Sequence, residues 1–158
     1  MSKKELKVSK IKDGTVIDHI PAGRAMEVLR ILKITGKEGF MVLIAMNVYS
    51  KKLKGKKDII KIEGKFLSDK ETAAISLVAP TATINIIKNG EVKEKKGVKT
   101  PDVVEGILKC PNPACISRVE HERVSSKFVK VSESPLAYKC AYCGTRIEEN
   151  DIPKYLNM

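Results

Sequence analysis

Gly14-Thr15-Val16-Ile17-Asp18-His19-Ile20-Pro21-Ala22-Gly23-Arg24-Ala25-Met26-Glu27-Val28-Leu29-Arg30-Ile31-Leu32 changes its hydrophobic period part-way along, and that change decides the fold. Thr15 to Ile20 follows a glycine and is rich in β-branched residues, which suit a pleated surface, so it reads as a strand. Pro21 then supplies a φ suited to a first helical position. Ala22, Ala25, Met26, Leu29 and Leu32 recur at helical spacing as far as Gly36, which predicts a helix of about four turns.

Downstream, residues 40–48 form an apolar run, and Lys57 to Glu63 places Ile59, Ile60 and Ile62 among charged residues; both read as strands. Ser68-x-x-Glu71 matches a capping box and opens a second helix through Ala74, Ile75, Leu77 and Val78, closed by Pro80. Thr81 to Ile87 and a return strand near Glu91-Val92 flank Asn89-Gly90, a short hairpin signal. Strand, helix, strand, strand, helix, strand and a short return is the ferredoxin-like split βαβ order, an antiparallel sheet with both helices on one face. The other face must be covered or solvated, and an apolar one suits a symmetric dimer.

The chain has 158 residues, with 42% hydrophobic and 31% charged residues, enough apolar material for one domain or two small ones. Its longest apolar run, Phe40 to Met46, falls far short of the roughly 18–20 residues that span a bilayer, and MSKKELKVSK carries no apolar signal segment. A soluble, cytoplasmic protein without a membrane partner is expected. The absence of Gln and Trp and the abundance of Lys and Glu point to a thermophilic source.

The charge is unevenly placed. Residues 1–100 hold 22 Lys and Arg against 11 Asp and Glu, whereas the rest holds eight of each, so the whole net charge of +11 lies in the first part. An anionic partner is expected there. Glu94 to Pro101 is polar, contains Gly and Pro and lacks either periodicity, so it reads as a linker. Two domains follow, residues 1–99 and 100–158. The expected fold class is α+β: an N-terminal ferredoxin-like antiparallel sheet with two helices, plus a small all-β zinc-ribbon-like domain.

All four cysteines fall in the neutral part: Cys110 and Cys115 with four residues between them, Cys140 and Cys143 with two. Paired short spacings fold tight turns whose thiolates converge, and four thiolates at about 2.3 Å suit tetrahedral Zn²⁺. With every position filled by protein, such a zinc is structural. Free thiols and a redox pair at Cys140 and Cys143 are the alternatives, the latter without a βαβ context. His121, between two glutamates, reads as surface. Val119, Val124, Phe128, Val129 and Val131 supply strands between the pairs.

Catalytic signatures are lacking. The two histidines sit in no Ser/His/Asp or Cys/His pattern, and there is no phosphate loop or dinucleotide glycine motif. Asp18-His19 is the most suggestive polar pair; either it binds a ligand, or one side chain faces solvent while the other caps the following helix. Lys51 to Lys57 reads as a solvated basic hairpin.

Taken together, Gly14 to Pro21, Lys57-Asp58-Ile59-Ile60-Lys61-Ile62-Glu63, Ala79 to Asn85, Cys110-Pro111-Asn112-Pro113-Ala114-Cys115-Ile116-Ser117 and Lys139-Cys140-Ala141-Tyr142-Cys143 resemble, in order and spacing, the regulatory chains of aspartate carbamoyltransferase. The resemblance implies a non-catalytic subunit of pyrimidine biosynthesis. It implies an allosteric domain that binds CTP, ATP and UTP and dimerises, and a zinc domain that docks on the catalytic chain. Carried over position by position, it places Val8 and Ile11 at the base, Asp18 and Lys61 near the ribose, and His19, Lys57 and Lys95 toward the phosphates. Asn85, Ile87 and Val92 complete the wall. Ser9 and Lys10 bear on how a second nucleotide or Mg²⁺ is held, and Cys110, Cys115, Cys140 and Cys143 become the zinc ligands. The competing class is a zinc-ribbon protein that binds nucleic acid; the neutral charge of the cysteine part and its scarcity of stacking aromatics, Tyr138 and Tyr142 alone near the second pair, count against it.

Overall fold

A computed structural model describes residues 11–157. The chain divides into two compact units between Val98 and Lys99. The first contains β1 (Gly14–Pro21), α1 (Ala25–Ile31), β2 (Val42–Ser50), β3 (Gly55–Glu63), α2 (Asp69–Val78), β4 (Thr83–Lys88) and β5 (Glu91–Gly97). Its sheet runs β2-β3-β1-β4-β5, with every neighbouring pair antiparallel. That is the split βαβ order with one strand added beyond β4. Alternation along the strands gives one face Ile17, Ile60, Ile62 and Ile84, all buried, as are Val28 and Leu29 of α1 and Ile75, Leu77 and Val78 of α2.

The first helix is shorter than its hydrophobic spacing suggests: seven residues, starting four beyond Pro21, which is the last residue of β1. Its start is set by a side chain from another strand. Buried Asp58 on β3 accepts the N–H groups of Gly23 at 2.9 Å and Ala25 at 3.0 Å, and its other oxygen accepts that of Asn47 on β2 at 3.0 Å. A carboxylate there suits the positive end of the helix dipole. The helix ends before Gly36 because Lys33 adopts a left-handed φ of 57°, and the N–H groups of Lys33 and Ile34 turn back to Arg30 and Leu29 carbonyls, both at 3.0 Å. These are the paired bonds of a Schellman end, closed by lysine.

In α2 the capping box is formed: Ser68 Oγ accepts the Glu71 N–H at 3.1 Å and Glu71 Oε1 accepts the Ser68 N–H at 2.9 Å. Gly14 has φ 151°, and a Cβ there would run into the Ile62 carbonyl, so the start of β1 requires glycine.

The linker reading of Glu94 to Gly97 is corrected: these residues belong to β5, which pairs with β4 across Thr83 to Lys88. Hydrogen bonds to β4 need no hydrophobic period, and the strand's seven exposed residues, with Glu91, Lys93, Glu94, Lys95 and Lys96 among them, form the charged edge by which sheets resist further pairing.

The second unit holds β6 (Val103–Glu105), β7 (Lys127–Glu133), β8 (Leu136–Cys140) and β9 (Arg146–Glu148) in one antiparallel sheet, in that order. Phe128, Leu136, Tyr138, Ile147, Ile152 and Leu108 are its buried core. Phe128, Val129 and Val131 lie in β7, but Val119 and Val124 lie outside strands, where Glu122 and Val124 N–H groups bond to Val119 and Glu122 carbonyls as tight turns. Tyr138 offers no stacking surface: it is fully buried, and its hydroxyl donates to the Pro101 carbonyl at 2.6 Å. No helix among the described residues is long and apolar enough to cross a membrane.

Candidate functional sites

Across the first sheet, backbone register sets Lys61 of β3, Val16 of β1, Asn85 of β4 and Lys95 of β5 in one row. One step along lies the row Glu63, Gly14, Ile87 and Val92; on the other side Asp18 stands opposite Thr83. Because side chains alternate, all these positions share the face turned away from the Ile17–Ile60–Ile84 core. The sequence-derived residues Asp18, Lys57, Lys61, Asn85, Ile87, Val92 and Lys95 are thus brought to one face, although they come from four strands; on it Ile87 is buried while Val92 and Lys95 are exposed. Ile11, buried just before β1, belongs to a segment tied to the β4–β5 hairpin: the Gly90 N–H donates to the Lys12 carbonyl at 2.8 Å, and the Asn89 N–H to Asp13 Oδ1 at 3.0 Å. Val8, Ser9 and Lys10 lie outside the described residues.

The far end of this face is irregular. Pairing of β1 with β3 shifts between Ile17 and Ile20, and within that shift His19 takes φ 56°. Such left-handed backbone is uncommon outside glycine and is held here by three contacts. The His19 N–H donates to Asp18 Oδ1 at 2.6 Å, its carbonyl accepts from Thr81 Oγ1 at 2.8 Å, and its Nδ1 lies 3.0 Å from Thr83 Oγ1. Lys57 Nζ sits 2.9 Å from Asp18 Oδ1, both side chains partly shielded. Asp18 therefore does not cap α1; it joins His19 to Lys57. Burial lowers the His19 pKa, Asp18 opposes this, and Lys57, Lys52 and Lys95 reinforce it. The imidazole is accordingly neutral near pH 7, within the field of three ammonium groups.

Sequence reasoning missed Asp58, whose carboxylate fixes the turn just after the Asp18–Lys57 pair. The available signal was an acidic residue at the same alternation as Ile60 and Ile62, on the core face of β3.

In the second unit the four cysteine sulfurs lie within 4.8 Å of one another. Cys110 and Cys143 sulfurs are 3.5 Å apart, and those of Cys115 and Cys140 are 3.7 Å apart. A tetrahedral ion with Zn–S bonds of about 2.3 Å places its sulfurs at about 3.8 Å, so the cluster fits zinc. Each pair rides on a hydrogen-bonded turn: the Cys115 N–H donates to the Asn112 carbonyl, and Gly144, at φ 84°, donates its N–H to the Cys140 carbonyl, both at 3.0 Å. Ser117 and Thr145 hydroxyls lie 3.1 Å from the Cys115 and Cys143 sulfurs. Burial pushes the Cys110 thiol pKa up, while hydrogen bonds from Thr145 lower that of Cys143. A divalent cation offsets the cost of gathering four thiolates. His121 is exposed and outside the cluster.

A split βαβ sheet with lysines on its outer face and a four-cysteine antiparallel module make up an α+β chain with a metal-binding unit, without a catalytic constellation among the described residues. The family model described as the aspartate carbamoyltransferase regulatory chain, allosteric domain, matches residues 6–99, and that of its metal binding domain matches residues 102–153. A regulatory chain from Ignicoccus hospitalis is 66% identical over 155 residues, covering 98% of this chain and 99% of its own length. Those from Hyperthermus butylicus and Thermococcus onnurineus are 56% and 55% identical over 151 and 148 residues, covering 96% and 94% of this chain and 94% and 96% of their own. The chain belongs to the family of aspartate carbamoyltransferase regulatory chains, non-catalytic subunits with an allosteric and a metal-binding domain. Its relatives come from thermophilic archaea, in line with the composition.

Proposed function

We propose that residues 1–99 are a nucleoside triphosphate sensor and that residues 100–158 hold one structural zinc and dock on the catalytic chain, in a cytoplasmic complex. The observation that carries this reading is the row Lys61–Val16–Asn85–Lys95 beside the Asp18–His19–Lys57 cluster. Aliphatic Ile87 and Val92 at one end suit a base; Asp18 and Lys61 in the middle suit a ribose; His19, Lys57 and Lys95 suit phosphates as point charges, with no phosphate loop required. CTP, ATP and UTP are the effectors. Cys110, Cys115, Cys140 and Cys143 bind the zinc, which orders the docking domain. Dimerisation runs through the first unit. Its edge strand β2 leaves Ile44, Met46, Val48 and Tyr49 exposed, which supports pairing with a second copy.

Effector binding then biases a two-state complex. Such coupling is typically about 1–3 kcal/mol and is reciprocal, so ligands of the catalytic chain shift nucleotide affinity by the same factor. Calorimetry on the full-length chain tests the site. Lys95→Ala and His19→Ala weaken CTP more than cytidine, each by about 1.5–3 kcal/mol where the contact is desolvated, whereas Lys61→Ala weakens both. Equal losses for CTP and cytidine in all three variants refute these role assignments.

A further inference from the structure

We propose that Lys52, on the hairpin between β2 and β3, is a specificity-determining residue that contacts the outermost phosphate and makes the site count phosphates. This rests on the reading of the sheet face as a nucleotide site. Rows along that face run in order from Ile87–Val92, through Lys61–Asn85–Lys95, to Asp18–Thr83, and then to Lys57, which stands opposite Pro21 of β1 and Val48 of β2. Beyond Lys57 the next structure is the hairpin itself, closed by the pair Ser50 and Gly55. A ligand laid with its base at Ile87 and its phosphates toward His19 and Lys57 therefore points its end at this hairpin.

The hairpin is built to hold its shape. Ser50, buried, accepts the Leu53 N–H on its Oγ at 3.1 Å, and the Lys54 N–H donates to the Lys51 carbonyl at 3.3 Å with Lys54 at φ 52°. Of its lysines, Lys52 acts together with Lys57 and Lys95 to lower the His19 pKa. Lys57 is already neutralised in part by Asp18, whereas among the described residues no carboxylate pairs with Lys52. A triphosphate brings roughly four negative charges near neutral pH, more than Lys95, a Lys57 partly neutralised by Asp18 and a His19 imidazolium together balance. An exposed, unpaired ammonium at the phosphate end completes the balance without a desolvation cost in the free chain.

The test uses the full-length zinc-loaded chain, with CTP, CDP, CMP and cytidine titrated by calorimetry at fixed salt. Lys52→Ala is expected to weaken CTP about tenfold, CDP less, and CMP and cytidine by less than about twofold. Lys52→Arg restores CTP affinity. Lys54→Ala, which removes an equal charge from the same hairpin, leaves CTP within about twofold. Equal losses from Lys52→Ala and Lys54→Ala reveal a diffuse field and overturn the assignment, as does a loss from Lys52→Ala that is the same for CTP and CMP. A wild-type chain that binds none of the four ligands overturns the nucleotide reading itself, and this proposal with it.

Discussion

In the first unit the lysines proposed for effector binding lie on β3 and β5 and are held apart by backbone register; in the second, four sulfurs from two turns converge within 4.8 Å. The difference follows from the size of the core. The sheet and two helices of the first unit bury a continuous aliphatic layer from Ile17 to Ile84, which positions charge without help from a ligand. The second buries about a dozen apolar side chains, three of them Cys110, Cys115 and Cys140, so much of its cohesion must come through sulfur. A pre-formed, solvent-facing charged surface suits reversible effector binding. A module closed around an ion suits permanent docking.

The contrast between the two units is largest at Cys140. Cys140→Ser is expected to release zinc and unfold the chain beyond about residue 105 while nucleotide binding by the first unit persists, since metal binding supplies on the order of 10 kcal/mol in modules of this kind. Metal analysis and limited proteolysis report it; a Cys140→Ser chain that stays protected after residue 105 would show that the second core is self-sufficient.

A smaller effect is expected at Asp58, the charge that the first unit does bury. Asp58→Ala strands three N–H groups, those of Gly23, Ala25 and Asn47, and should cost about 3 kcal/mol, read as a lower midpoint in denaturant for the first unit with zinc content unchanged. Because α1 begins at this carboxylate, loss of nucleotide affinity should accompany it.

His19 makes the first unit sensitive to pH. Its pKa is lowered in the folded chain, so the unfolded chain takes up the proton first as pH falls through about 6.5, and His19's contribution to stability is lost below that point. In the proposed binding mode, phosphate beside His19 favours the imidazolium against the repulsion of Lys57, Lys52 and Lys95 and reverses the sign. CTP affinity is therefore expected to rise as pH falls from 7.5 to 6, and calorimetry in buffers of different ionisation enthalpy should detect proton uptake that His19→Ala abolishes. The mildest change is Ser68→Ala, which removes the α2 cap and costs about 1 kcal/mol with no effect on either site.

Much of this was legible in the chain itself. Period-two and helical spacing gave the element order from Thr15 to Ile87, the Ser68-x-x-Glu71 box marked α2, and the paired cysteines marked the metal cluster, because each of these signals is local. The assignment of Asp18, Lys57, Lys61, Asn85 and Lys95 to one site rests on family likeness alone; no spacing among them announces a site.

What the tertiary structure alone decided is where distant residues meet. Hydrophobic spacing continued past the true ends of α1, because the forces that end it, Asp58 from another strand and a left-handed Lys33, leave no periodic trace. The charged run Glu91 to Gly97 became a strand because β4 offered it hydrogen-bond partners, and side-chain pattern carries no record of backbone pairing. Likewise, only sheet order places Lys61 beside Asn85 through Val16, and only the shift at His19 sets its ring against Thr83. Sequence determines such things through long-range register, whereas the patterns one reads along a chain are those of near neighbours.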